Sequence, residues 1–257
     1  MTITKSTIPQ IEWYRMSTNP KDPKRIEAMG ADPEMRKLTR QWFNKTFEYR
    51  YPYNFTWLGV PIIQYPNDIV ALQEVIWKVK PKAIVETGIA HGGSLILSAS
   101  LLELIGGDGI VIGVDIDIRS HNRAVIEAHP LSRRIRMIQG SSIDETIVKQ
   151  VRDLVGERSP VVVILDSNHT HDHVRDELKL YSPLVQSGSY LVVFDTVVEL
   201  MKDDAFPDRP WGIGDNPYTA VQEFLKTNSR FQIEQEIEDK LQVTVSPGGW
   251  LKCVADK

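Results

Sequence analysis

Along most of this chain short apolar runs alternate with amphipathic stretches, and that alternation predicts an α/β fold. β-Branched runs at about 83–87, 110–115, 134–138, 161–165 and 189–194 have the length and composition of buried strands, while 94–104, 121–128, 143–155 and 171–186 carry apolar residues at helical spacing. Strands and helices in this order imply a parallel sheet covered by helices on both faces. A helix at 217–227 and two more strands, 231–235 and 241–245, complete the pattern, and their short charged connection lets the last strand enter antiparallel. The expectation is a doubly wound, mostly parallel seven-stranded sheet. Ahead of it, Asp32-Pro33-Glu34 starts a helix with Met35, Leu38, Trp42 and Phe43 on its apolar face, and Asn67 or Asp68 caps another that Pro81 ends. Residues 1–56 read as an N-terminal extension and 57–257 as the main domain. The polar stretch up to about Gly30 is expected to drape over the surface or reach a neighbouring subunit of a homo-oligomer. The aromatic segment Tyr49–Trp57 is a hydrophobic clasp on the main domain or, through Tyr53 or Trp57, part of the roof of a ligand pocket.

Composition narrows the partners. A chain of 257 residues with 42% hydrophobic residues can bury a full core. Its net charge of −4, with no basic stripe, argues against nucleic acid and against an anionic membrane surface. A single cysteine cannot form an intrachain disulfide, no apolar run approaches a membrane span, and the N-terminus has no apolar signal core, so the expected location is cytoplasmic.

The candidate chemistry sits where strands end. After the first strand the chain reads Glu86-Thr-Gly88-Ile-Ala90-His-Gly92-Gly93-Ser94, a turn of small residues running into a helix N-terminus. The second strand ends in Asp115, where a nucleotide-type ligand places its ribose hydroxyls. A dinucleotide site favours Gly-x-Gly-x-x-Gly, because a pyrophosphate rests on the helix end. Here an acid stands inside the strand end instead, which resembles the first motif of S-adenosylmethionine (SAM) methyltransferases, whose sulfonium amino acid is cationic. On that reading Glu86, Gly88, Ala90, Gly92, Gly93, Ser94 and Asp115 bind SAM, and adenine reaches Ser141 and Ser142 after the third strand.

Two further strands end alike, at Asp166 and Asp195. As neighbours they would stand about 4.8 Å apart, and two carboxylates that close repel unless a cation joins them. Mg²⁺ fits such a hard oxygen site; alternatively each Asp caps the helix after its strand. Beside Asp166 lies His169-Thr-His171-Asp-His173. Alternate residues on a helix point apart by about 200°, so one ion could not easily take all three histidines, and His169 is the functional candidate. Trp211, in the long loop after the fifth strand, is a plate for a sugar ring or an anchor for its own loop.

Trp57-Leu-Gly-Val-Pro, Val85–Ser94, Gly113–Asp117, Ile164–His173 and Val193-Phe-Asp-Thr196 together resemble the cephalosporin hydroxylase family, also called the rhamnosyl O-methyltransferase family, from about Trp57 to the C-terminus. The resemblance implies a SAM methyltransferase-like domain of the class I, Rossmann-like type and a Mg²⁺-dependent O-methyltransferase acting on a sugar or natural-product hydroxyl. It implies Asp166 and Asp195 as metal ligands and His169 as general base. Related macrolide-sugar methyltransferases carry Glu-Asp where this chain has Phe194-Asp195, so a further ligand falls to Thr196, another acid such as Glu199, or water. The family's historical name raises an oxygenase as the rival activity, and Phe194 raises a catalytically silent module.

Overall fold

The computed structural model describes residues 22–202 and 205–256, so most of the N-terminal stretch expected to drape over the surface lies outside the described residues. The described part of that stretch is helical. Asp22 and then Asp32 each turn a carboxylate onto the free N–H groups of a first turn, starting α1 (Pro23–Ala31) and α2 (Pro33–Phe47), both with proline at the first helical position. A small hairpin, β1 (Phe55–Trp57) and β2 (Val60–Ile62), leads into α3 (Pro66–Val79).

The main sheet is built from β3 (Ala83–Thr87), β4 (Ile110–Asp115), β5 (Ile135–Gln139), β6 (Val161–Leu165), β7 (Tyr190–Val193), β8 (Phe231–Ile233) and β9 (Trp250–Cys253). Its seven strands run in the order β5-β4-β3-β6-β7-β9-β8. The first five are parallel, and β9 enters antiparallel between β7 and β8. The order reverses between β3 and β6, and an open sheet binds ligands at such a switch point. The connecting helices are α4 (Gly93–Ile105), α5 (Ser120–Ala128), α6 (Glu145–Val155), α7 (His171–Tyr181), α8 (Pro217–Thr227) and α9 (Gln235–Leu241). Two apolar cores form, one on each face of the sheet. Phe43 of α2 and Tyr65 stack at 4.9 Å inside the first, so the N-terminal helices share the main domain's core. No helix among the described residues is long and apolar enough to cross a membrane.

Three local expectations are corrected. The final strand is Trp250–Cys253, not 241–245. The charged connection is itself a helix, with Ile237 and Leu241 four apart on its inner side, and Val245 packs into the core as loop. α7 stops at Tyr181 because Pro183 cannot continue it. Neither Asn67 nor Asp68 caps α3. Asn67 donates to the Leu241 carbonyl, and Asp68 turns inward, fully buried, to accept from Thr244 Oγ1 and the Val245 amide.

Burial pushes the Asp68 carboxyl up to about 7, against the two hydrogen bonds that lower it. A carboxyl raised in the folded state keeps its proton where the unfolded chain has already lost it, so stability falls as pH rises from about 4 to about 7, by at most about 1.4 kcal/mol per pH unit. Asp68→Asn keeps an acceptor and has no charge to bury. Its stability profile is expected to be flatter over that interval, read as denaturation midpoints across pH. A slope equal to the parent's would remove Asp68 as its source.

Candidate active site

β3 hands over to α4 through a loop that turns at once, with Gly88 at φ +90°. A Cβ at Gly88 would lie 2.0 Å from the Asp166 carbonyl oxygen, and one at Gly93 would meet the Pro61 carbonyl. The glycines expected to make room for a ligand therefore make room first for the protein's own backbone. The loop is held from the next strand, since Asp115 Oδ2 accepts from the Ile89 amide at 2.8 Å and the Ala90 amide at 3.2 Å. Asn122 Nδ2 donates to the Ala90 carbonyl at 2.8 Å and fixes the other side.

Gly88, Ala90, Gly92, Gly93, Ser94 and Asp115 line one end of a cleft of about 820 Å³. Glu86 is not on its surface. The side chain is buried beneath the floor, where Ser94 Oγ donates to Oε1 and Oε2 has no partner among the described residues. Burial pushes its carboxyl up to about 7. Ser141 and Ser142 do not line the cleft either. Ser142 is buried with its hydroxyl on His173 Nε2 at 3.0 Å, and exposed Ile116, next to Asp115, is among the residues that line the cleft.

Further along the floor stand Asp166, His169 and Asp195, whose ligand atoms all lie within 4.8 Å of one another. Asp166 follows β6 and Asp195 follows β7, adjacent parallel strands whose register brings both carboxylates to one end. Asp195 has φ +57°, a left-handed turn that ends the strand abruptly. His169 Nε2 is 3.2 Å from Asp195 Oδ2, and the ring meets Trp211 edge to face at 4.8 Å. Burial, and then the charges of Asp195, Glu86 and Glu177, hold the Asp166 carboxyl well above the usual carboxylate range, while a hydrogen bond from Gln64 Nε2 at 3.3 Å works the other way. Asp166 and Asp195 are both only partly buried, and two carboxylates this close repel unless a cation joins them or one takes a proton.

The other proposed contacts fall elsewhere. Thr196 is buried with Oγ1 on the Pro247 carbonyl at 2.7 Å, so it is not turned to the acids. Glu199 accepts from the Gly214 amide and Asn216 Nδ2, pinning the long loop. Phe194 packs in the core against Trp250. Trp57 donates its indole N–H to Ser100 Oγ on α4 and does not line the cleft, whereas Tyr53 does. His171 bonds Thr219 and Glu223 on α8, and His173 bonds Ser142 and Ser167. Gln64, Asn122 and the arginines of the cleft had no signal in the sequence, because each is brought in by a loop or helix whose spacing carries no motif.

The family model for Rhamnosyl O-methyltransferase/CmcI matches residues 49–254. The rhamnosyl O-methyltransferase of Mycobacterium tuberculosis H37Rv is 30% identical over 201 residues, 76% of this chain and 77% of its own. That of Mycobacterium leprae is 28% identical over 215 residues, 82% of this chain and 87% of its own. Among solved structures, CmcI with Mg and SAM superimposes with a TM-score of 0.56 at 21% identity, covering 79% of this chain and 78% of that one. An O-methyltransferase from Bacillus cereus in complex with SAH, the demethylated product of SAM, gives 0.51 at 15% identity over 86% of each. These two likenesses bear on the fold. The chain belongs to the rhamnosyl O-methyltransferase/CmcI family.

Proposed function

We propose that the chain transfers the methyl group of SAM to a hydroxyl of a sugar or a glycosylated small molecule, assisted by a divalent ion such as Mg²⁺. The observation that carries this reading is that Asp166, His169 and Asp195 converge in the same cleft whose other end is made by the Gly88–Ser94 loop and Asp115. Two carboxylates and water suit a hard cation, and the elevated Asp166 carboxyl marks a place where positive charge is wanted. When bound, the ion supplies the charge that lowers a hydroxyl's pKa, and SAM supplies the methyl group.

The chain's own residues do the rest. Asp166 and Asp195 hold the ion, Gln64 orients Asp166, and His169 Nε2, the nitrogen facing the carboxylates, accepts the hydroxyl proton. Trp211 packs edge to face against the imidazole. Asp115 orders the SAM loop and offers its remaining acceptor capacity to a ribose. A hydroxylase reading calls for two histidines and one carboxylate at an iron. The cluster holds the inverse, with His171 and His173 engaged elsewhere.

Calorimetric titration with SAM tests the cofactor half of the proposal. Binding is expected with and without Mg²⁺, and Asp115→Ala is expected to weaken it by about 1.5–3 kcal/mol, the worth of hydrogen bonds to a charged group. Unchanged affinity in that variant would move the ribose off Asp115, and no binding to the parent would end the methyltransferase reading.

A further inference from the structure

The end of the cleft away from Asp115 is built differently from the SAM end. Its walls are aromatic, from Phe43 and Phe47 of α2, Tyr53, and Phe206 and Trp211 of the long loop. Phe47 meets Phe206 edge to face at 5.3 Å, which joins the two walls. Arg50 comes three residues after Phe47 and Arg209 three after Phe206, and both arginines line the cleft. The Arg209 guanidinium lies 5.2 Å over the Trp211 ring. Neither guanidinium makes an ion pair or a side-chain hydrogen bond with another described residue. Arg50 holds a left-handed backbone, φ 50° and ψ 44°, uncommon for a side-chain-bearing residue. Beside them the Trp211 indole N–H is buried with no acceptor among the described residues.

Among the described residues this end offers donors with few acceptors. The cleft's described carboxylates, Asp115, Asp166 and Asp195, are all on the floor, where the SAM loop and the metal cluster use them. A neutral sugar donates as many hydrogen bonds as it accepts, so a site built for one supplies acceptors as well as donors. Two guanidiniums and an indole N–H match a group that only accepts, and a guanidinium's paired N–H donors fit the oxygens of a phosphoryl group two at a time.

We propose, resting on the methyltransferase reading above, that the acceptor is a phosphorylated sugar whose phosphoryl group is bound by Arg50 and Arg209 at the aromatic end of the cleft. The sugar ring then lies against Trp211 with its hydroxyl toward His169, and the phosphate selects the substrate.

The test is calorimetric titration of SAH-loaded protein, without added metal so that phosphate cannot bind through an ion. The probes are inorganic phosphate, a hexose 1-phosphate, a uridine diphosphate hexose, a short polyprenyl diphosphate hexose, a hexuronic acid and a neutral methyl hexoside. Phosphate alone is expected to bind, and each phosphorylated sugar to bind at least about tenfold more tightly than the neutral glycoside. Arg50→Ala and Arg209→Ala are each expected to remove that preference by about tenfold while leaving SAH affinity unchanged, and the tighter of the two diphosphates identifies the carrier. Phosphate binding that is absent, or equal in both variants, would overturn the proposal, as would a neutral glycoside or a hexuronate binding as well as the sugar phosphates. Loss of SAH binding with arginine-dependent phosphate binding intact would instead overturn the methyltransferase reading and leave the anion subsite standing.

Discussion

Asp166→Asn is expected to lower turnover by on the order of 10³-fold, the equivalent of about 4 kcal/mol in the barrier, while SAM affinity measured without metal stays within about twofold. The substitution removes one of the two carboxylates that adjacent strand ends bring together, and nothing else on the cleft floor replaces it. Thr196 is bound to Pro247, Glu199 to the long loop, and Phe194 lies in the core. The same geometry fixes the sign of the pH effect. Burial and then Asp195 hold the Asp166 carboxyl protonated above the usual range, so an ion must displace that proton, and ion affinity is expected to rise with pH until Asp166 is ionised. Turnover in excess EDTA at the parent's rate, or an Asn variant with undiminished turnover, would refute the metal assignment.

The second large effect is expected at His169. General-base contributions run to about 10²–10⁴-fold, and His169→Ala is expected to lose a factor in that range from kcat while keeping both SAM and metal affinity. His171→Ala is expected to lose far less, because His171 bridges α7 to α8 through Thr219 and Glu223 and does not face the acids. His169 Nε2 lies close enough to Asp195 to compete for the role of ligand. Metal affinity therefore decides between the two roles. A loss of turnover that tracks a loss of bound metal would make His169 a ligand, and equal activity in the His169 and His171 variants would remove it from the chemistry.

The strand ends were the most legible part of the sequence, and for a physical reason. A parallel strand buried on both faces must be a continuous apolar run, so the acid that ends it stands out, as at Asp115, Asp166 and Asp195. What lay out of reach depended on partners distant in the chain. Glu86 reads as a ligand contact but is buried behind Ser94, because the strand end faces the protein before it faces the cleft. Ser142 reads as an adenine contact, yet its hydroxyl belongs to His173, 31 residues away. Val243 and Val245 suggested a final strand through β-branching alone, while the register that admits Trp250–Cys253 between β7 and β8 has no local signature. Asp68 looks like a helix cap until Thr244 and Val245, 176 and 177 residues away, claim its carboxylate. Arg50 and Arg209 line one cleft although they are far apart in the chain, and the packing of Phe47 on Phe206 that joins their segments has no local signature.

Titration of Mn²⁺ into the SAH-loaded protein, followed by electron paramagnetic resonance, addresses the metal-assisted site most directly. One ion per chain is expected, lost in Asp166→Asn and in Asp195→Asn and retained in His169→Ala. No bound ion in the parent, or an ion that survives both aspartate substitutions, would contradict the site described here.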